Sequence, residues 1–456
     1  MKNISNVSVI GLGKLGGSMA AAFAHRGFNV IGVDINPAFV DAFNAGKAPV
    51  YETGLEELIK ANQQRLRATS SAEDAVLNSD ISFVIVPTPS DDRGAFTLQY
   101  ARHAFKGLGQ ALQKKNSYHV VVMTSTVLPG ATRYGLLPIL EKESGMKCGS
   151  DFGLCYNPEF IALGSVIRDF LNPDFYLLGQ YDERSGDALE SVHQRVSLNQ
   201  APVKRMSLEN AELAKISVNS FVTMKISFAN IMANFCQKIP GGDVDVVSDA
   251  LGLDQRIGRK YLTGGFGFGG PCFPRDNVAL DFMGKSLGVD TRLLRSNDEY
   301  NRHLAISYLE NFRSHIPPNS TVTVLGLAYK PDSHVVEESP GIYLCRALAD
   351  AGYRVIGHDP LAADGARQAL GEHALVTNSL AQALRDADAV LICTPDKLYR
   401  QLESRDFSGG DTKPMVIDFW RILPKLEGDE KVHYIPFGKQ SWEINRGNLL
   451  KTLWEN

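Results

Sequence analysis

The 456-residue sequence contains no stretch approaching the roughly 20 apolar residues of a membrane-spanning helix, which excludes a membrane span. It has no excess of positive charge. Its 47 Lys and Arg stand against 51 Asp and Glu, a net charge of -4, so there is no basic footprint for nucleic acid or an acidic membrane surface. Its six cysteines (148, 155, 236, 272, 345, 393) form no Cys-x-x-Cys and no zinc-ligand spacing. Neither a disulfide scaffold nor a metal is expected, and reduced thiols fit a cytoplasmic protein. Met1-Lys2 leads straight into the strand-like Val7-Ser8-Val9-Ile10 without an apolar leader, so no secretory signal is expected. What is there is ordinary for a globular protein, 44% hydrophobic and 21% charged. The length exceeds one core and predicts two or three domains.

Strand and helix patterns alternate from the start. Apolar runs at Val7–Ile10, Val30–Val33, Ile81–Val86 and Val120–Met123 read as buried strands, and Ser18–His25 as a helix ended by Gly27. Strands this apolar, separated by helices, predict a parallel sheet covered on both faces. The grammar returns later. Val322-Thr323-Val324-Leu325-Gly326 echoes the first strand, and Tyr353 to Asp359 mirrors Phe28 to Asp34. Val390 to Pro395 mirrors Val84 to Pro89. The predicted fold is α/β, with two Rossmann-like doubly wound parallel-sheet domains joined by a central helical region. Leu208–Gln237 and Asp290–Ser314 are the long helices of that region. The expected domains are 1–205, 206–315 and 316–456. The loop after Gly326 is longer than its counterpart, so a different ligand can sit there.

Four segments carry chemistry. Gly11-x-Gly13-x-x-Gly16 follows a strand and opens a helix, as a dinucleotide fingerprint must, and Asp34 closes the second strand where it can accept both ribose hydroxyls. A 2'-phosphate there would meet a carboxylate, which favours NAD over NADP. The glycines of Gly264-Gly265-Phe266-Gly267-Phe268-Gly269-Gly270 precede Pro271-Cys272-Phe273-Pro274-Arg275-Asp276. They suggest backbone wrapped around a ligand with a thiol at its rim; the alternative is a loop with a buried, inert cysteine. If the segment turns helical, Asp276 lies beside the thiol. Glu159, in Tyr156-Asn157-Pro158-Glu159-Phe160, sits at a strand end, where such sheets place their sites, or is a solvated acid. Lys215 and Asn219 share one helix face, with Lys215 facing inward as part of a site or snorkelling at the surface.

Together these segments resemble the UDP-glucose/GDP-mannose dehydrogenase family, closest to its UDP-glucose 6-dehydrogenase branch. The resemblance spans almost the whole chain. It includes Gly46–Leu58 with Tyr51-Glu52, Val86-Pro87-Thr88-Pro89, Ser125-Thr126-Val127, Asn157–Phe160, Ala211–Lys215, Gly267–Gly270, Cys272-Phe273 and Leu325–Lys330. It implies NAD-dependent four-electron oxidation of a sugar CH2OH through an aldehyde, a Cys272 thiohemiacetal and a thioester that water cleaves. Lys215 and Asn219 would stabilise the oxyanion, Asp276 would tune the thiol, and Thr126 and Glu159 would position or activate water. Gly11, Gly13, Lys14, Leu15, Gly16, Asp34, Pro87, Thr88, Ser125, Thr126 and Arg275 would hold NAD. The nucleotide sugar would meet Phe160, Ile161, Ala162, Leu163, Lys215, Asn219, Tyr261, Phe268, Gly269, Phe273, Tyr329, Lys330 and Arg421. Arg256 would be donated across a homodimer interface.

Four positions depart from the family pattern. Arg275 replaces a lysine, Glu337 an arginine, Leu163 a glutamate and Phe175 an arginine. They fall on the side expected to hold the cofactor, and predict weaker or rearranged cofactor binding rather than lost function. Two other readings compete. A two-electron hydroxy-acid dehydrogenase has no use for Cys272 or a second nucleotide domain. A non-catalytic sugar-nucleotide binder is suggested by Glu337 and Leu163. The sugar is best read as UDP-glucose, with GDP-mannose or a UDP-N-acetylhexosamine as the alternatives.

Overall fold

A computed structural model of the chain describes residues 4–161, 164–313, 315–407, 413–440, 450 and 453–454. It divides into two compact units, Met1–Val218 and Asn219–Asn456. The division falls inside the 31-residue helix Leu208–Lys238. No helix among the described residues is long and apolar enough to cross a membrane.

The first unit is built on eight strands: β1 (Asn6–Ile10), β2 (Asn29–Val33), β3 (Leu66–Thr69), β4 (Ile81–Val84), β5 (Val120–Met123), β6 (Gly153–Tyr156), β7 (Tyr176–Gln180) and β8 (Val203–Ser207). Their order across the sheet is β3-β2-β1-β4-β5-β6-β7-β8. Strands β4 and β5 are buried along their whole length, because helices cover both faces. Val7 and Val9 serve one core and Ile10 the other, the period-2 alternation of a pleated strand. The strands read from the sequence are parallel as expected, and the sheet is extended at one edge by a reversed pair. β6 and β7 pair antiparallel, so β7 and β8 run against the other six. The link between β6 and β7 carries the short helix Val166–Leu171.

The second unit contributes the rest of the helical region and a six-stranded, wholly parallel sheet. Its strands are β9 (Thr321–Leu325), β10 (Arg354–His358), β11 (Leu375–Thr377), β12 (Ala389–Ile392), β13 (Met415–Asp418) and β14 (His433–Pro436), in the order β11-β10-β9-β12-β13-β14. This is the order of the first six strands of the other sheet, and of doubly wound dinucleotide folds.

The repeat holds atom by atom. Gly11 has φ +101° and donates to the Val33 carbonyl at 2.7 Å; Gly326 has φ +99° and donates to the His358 carbonyl at 2.9 Å. A Cβ on Gly16 would overlap the Gly11 carbonyl, and one on Gly341 would overlap the Gly326 carbonyl. Gly32 makes room for Leu12 as Gly357 does for Leu327. The copies part after the turn. The first helix begins at once, at Lys14, whereas the second waits until Pro340.

Candidate active site

In the first unit, Gly11 and Gly16 are required by the chain's own backbone, but a Cβ on Gly13 would meet nothing within 4 Å. The helix Lys14–His25 starts at Gly13 with no side-chain cap and no acid in its first turn, so its positive dipole end is not offset by an acid of its own first turn. Lys14 and Leu15 open that helix. An open glycine before an uncapped helix start fits a pyrophosphate, and the residues present therefore fit NAD. The neighbouring loops are stitched together. Ser125 Oγ donates to the Val86 carbonyl at 2.6 Å and accepts the Val86 N–H at 2.9 Å, while Thr88 Oγ1 donates to the Thr126 carbonyl at 2.8 Å. These bonds fix Pro87 and the Thr126 backbone beside the turn.

Asp34 is half-exposed and accepts two backbone N–H groups, from Leu12 at 2.7 Å and Asn36 at 2.8 Å. Its counterpart Asp359 is buried and accepts four, from Leu327, Ala328, Leu361 and Ala362, at 2.8–2.9 Å.

Glu159 follows Pro158 beyond the end of β6. Burial pushes its carboxyl up to about 8, against the opposing pull of Lys215. Its Oε1 has no hydrogen-bond partner among the described residues. Lys215 is buried, donates to the Glu159 carbonyl oxygen at 2.6 Å and lies 4.4 Å from the centre of the Phe160 ring. The snorkelling reading of Lys215 is thus corrected: its ammonium points into the protein. Phe175 packs on Phe160 with ring centres 5.0 Å apart, a ring contact where the family pattern has a cation. Ile161 is half-buried; Ala162 and Leu163 lie outside the described residues. Glu52, from the Tyr51-Glu52 motif, anchors the far end of this loop by accepting the N–H groups of Gly164 and Val166.

Sequence reasoning passed over two supports here. His193 is fully buried and meets Asn157 Oδ1 at 2.7 Å, holding the Asn157-Pro158-Glu159 turn. Glu212 accepts the Gly130 and Thr132 N–H groups at 2.6 and 2.8 Å, which tethers the segment following Thr126. An acid on an apolar helix was the only signal for Glu212, and nothing local announced His193.

In the second unit Cys272 stands directly before the helix Phe273–Ser286. It is the exposed one of the six cysteines; four are buried and Cys148 is half-buried. Asp276, a turn into that helix, is buried, accepts Asn219 Nδ2 at 2.6 Å and lies 3.6 Å from the Arg275 guanidinium. Tyr329 is close enough to feel Cys272 electrostatically, and burial raises its phenol to about 12.

The glycine-rich loop is closely packed. A Cβ on Gly264, Gly265, Gly267, Gly269 or Gly270 would come within 3 Å of the Ala229, Phe419, Asn301, Glu338 or Tyr329 atoms respectively. The glycines admit the protein's own neighbours at these positions. Phe268 is buried and meets Phe273 edge-on at 6.5 Å, and Lys330 Nζ lies 5.7 Å from the Tyr329 ring centre. Tyr261 is half-exposed at φ +68°, and Arg256 is exposed and paired with Asp254.

Arg421 is a correction. Its guanidinium makes a two-pronged pair with Asp245 at 2.8 and 2.9 Å, and donates to the carbonyls of Thr263, Gly264, Phe419 and Phe437. Every N–H is engaged, so in this structure Arg421 clamps the loop before Cys272 and has no donor left for a substrate.

Residues 5–197, 209–303 and 323–425 match the NAD binding, central and UDP binding domains of the UDP-glucose/GDP-mannose dehydrogenase family. The UDP-glucose 6-dehydrogenase AglM of Haloferax volcanii is 36% identical over 92% of this chain and 98% of its own. A GDP-mannose 6-dehydrogenase of Pseudomonas aeruginosa is 33% identical over 88% of this chain and 94% of its own. The solved UDP-glucose dehydrogenase of Pyrobaculum islandicum superposes with a TM-score of 0.84 at 34% identity, covering 96% of this chain and 98% of the other. With an NAD-binding unit, a UDP-binding fold and a central helical region in family order, the chain belongs to the UDP-glucose/GDP-mannose dehydrogenase family, the NAD-dependent nucleotide-sugar dehydrogenases.

Proposed function

We propose that this enzyme oxidises the C6 alcohol of UDP-glucose to the carboxylate, with Cys272 as the covalent nucleophile. The observation that carries the reading is the placement of Cys272: the exposed thiol of the chain, at the start of a helix, one turn from the buried Asp276 and its partner Asn219. The positive end of a helix favours a thiolate there. The choice of sugar rests on the similarity to UDP-glucose 6-dehydrogenases.

NAD would supply the hydride acceptor, one molecule for each of the two hydrides that conversion of CH2OH to a carboxylate releases, with the first NADH exchanged for a second NAD. Gly11, Gly13, Gly16, Lys14, Leu15 and Asp34 would hold it, with Pro87, Thr88, Ser125, Thr126 and Arg275 around it. The protein's own part begins at the alcohol, whose proton passes to water ordered by Glu159 and Thr126. Cys272 adds as thiolate to the resulting aldehyde carbon, forming the C–S bond of a thiohemiacetal, with the oxyanion stabilised by the Lys215 ammonium and the Asn219 amide. That tetrahedral carbon again carries a hydrogen to surrender, and its loss leaves a thioester. Water, deprotonated by Glu159, attacks the thioester; the C–S bond breaks and Cys272 leaves as thiolate, beside Asp276. Phe160, Ile161, Ala162, Leu163, Tyr261, Phe268, Gly269, Phe273, Tyr329 and Lys330 would shape the sugar-nucleotide shell.

The active unit would be a homodimer. Phe221, Phe228 and Phe235 are exposed at a seven-residue spacing, one apolar stripe along the helix Leu208–Lys238 suited to a second copy, with the exposed Arg256 as the residue donated across it.

The test is to incubate purified protein with NAD and UDP-glucose, GDP-mannose or a UDP-N-acetylhexosamine, and count NADH. Two NADH per UDP-glucose, abolished in Cys272→Ser, is the expected outcome. One NADH per substrate, or unimpaired turnover in Cys272→Ser, refutes the mechanism; preference for another sugar refutes only the substrate.

A further inference from the structure

Thr223, one turn beyond Asn219 on the helix Leu208–Lys238, is fully buried. Its hydroxyl donates to the Ser220 carbonyl at 2.7 Å and accepts from Asn277 Nδ2 at 3.1 Å and Asn297 Nδ2 at 3.0 Å. A hydroxyl offers one proton and two lone pairs, so its capacity is filled. Asn277 and Asn297 are buried as well, and they come from two further helices, Phe273–Ser286 and Arg292–Phe312. One oxygen atom thus pins three helices at a point.

Apolar side chains would fill this junction without the cost of burying two amides and a hydroxyl. What they would not supply is direction. Asn277 directly follows Asp276, whose carboxylate accepts Asn219 Nδ2 at 2.6 Å. The two helices are therefore joined by two polar rungs, Asn219–Asp276 and Thr223–Asn277. The contacts lie a turn apart on one helix and roughly 100° apart around the other. A single rung would act as a pivot; two fix both sliding and rotation. Cys272 is rigidly coupled to this arrangement, because the Asp276 N–H donates to the Cys272 carbonyl at 2.8 Å.

We propose that Thr223, Asn277 and Asn297 form a positioning network that sets the rotation of the helix Phe273–Ser286, and through it the direction in which the Cys272 thiol and Asp276 carboxylate face. This rests on the reading of Cys272 as nucleophile.

The experiment compares Thr223→Val, which keeps shape but strands both amides, with Thr223→Ser, which keeps the hydroxyl. Two readouts are needed: kcat and KM for the nucleotide sugar, and the rate of Cys272 alkylation by iodoacetamide between pH 6 and 9 without sugar or NAD. In Thr223→Val, kcat falls at least about tenfold with KM within about twofold, as expected for a misaimed reacting group. The pH profile of Cys272 alkylation moves with it. Thr223→Ser restores both. Should Thr223→Val fail to fold, Asn297→Ser removes one donor and leaves the Thr223–Asn277 rung, and a smaller change of the same kind is expected. Wild-type kcat and alkylation in either Thr223→Val or Asn297→Ser, or a Thr223→Ser as impaired as Thr223→Val, overturns the proposal. If even the unsubstituted enzyme forms no NADH, the proposed reaction fails, and the alkylation comparison still decides the network.

Discussion

Glu159 keeps its Oε1 away from water, and its ionised form is the one that suffers. Its value near 8, against an ordinary 4.5, means that the folded chain holds the proton more tightly than the unfolded chain. Stability contributed by the neutral acid is complete below the unfolded value and is lost as pH rises from about 4.5 towards 8. In Glu159→Gln that loss disappears, so the fall in Tm between pH 5 and pH 8.5 becomes smaller than in the parent. Equal falls in both proteins would show that Glu159 titrates normally. Glu212, raised to about 7 by burial, adds to the same window, so the comparison is made at one position at a time. The same proton serves the proposed chemistry: a group poised near neutrality can give and take within one cycle. The residue type and its strand-end position were legible in the sequence. The burial that tunes it was not, because Lys215, the Asn157–His193 bond and the Phe160–Phe175 contact come from distant segments.

At the scale of elements, the three fingerprint glycines answer to different demands, and substitution separates them. Gly16→Ala places a methyl into the Gly11 carbonyl and costs about 1–3 kcal/mol in urea unfolding, the usual range for overpacking. Gly13 has φ -65° and open space, so Gly13→Ala changes stability by less than about 0.5 kcal/mol while weakening NAD binding by calorimetry. Unchanged affinity in that variant would mean that the pyrophosphate does not approach there. This motif could be read in advance because its geometry is local: strand, tight turn and helix lie within a dozen residues. The glycines before Cys272 carry the same composition, but the close packing that requires them was not legible, since the atoms that crowd them belong to Phe419, Asn301, Glu338 and Tyr329, far along the chain. The reversed β7 escaped notice for a related reason. Strand direction depends on how the connection returns, and a buried apolar strand looks alike in either sense.

At the scale of the whole molecule, the exposed phenylalanine stripe bears on assembly. Phe221→Ser combined with Phe228→Ser should lower the sedimenting species to a single chain at micromolar concentration. A substituted protein that sediments as the parent does would remove the stripe from the interface. Arg421→Ala should act on folding more than on affinity, lowering Tm while KM for the nucleotide sugar stays within about threefold, because its donors are spent on Asp245 and four carbonyls.

The two acids that end matching strands, Asp34 and Asp359, have diverged in what they leave unspent. Each carboxylate has about four acceptor positions. Asp359 gives all of them to its own loops, whereas Asp34 reserves two. A duplicated architecture has thereby become asymmetric without changing the residue: one aspartate remains open to an adenosine, and its twin has turned into internal scaffolding. A titration should accordingly saturate at one dinucleotide per polypeptide.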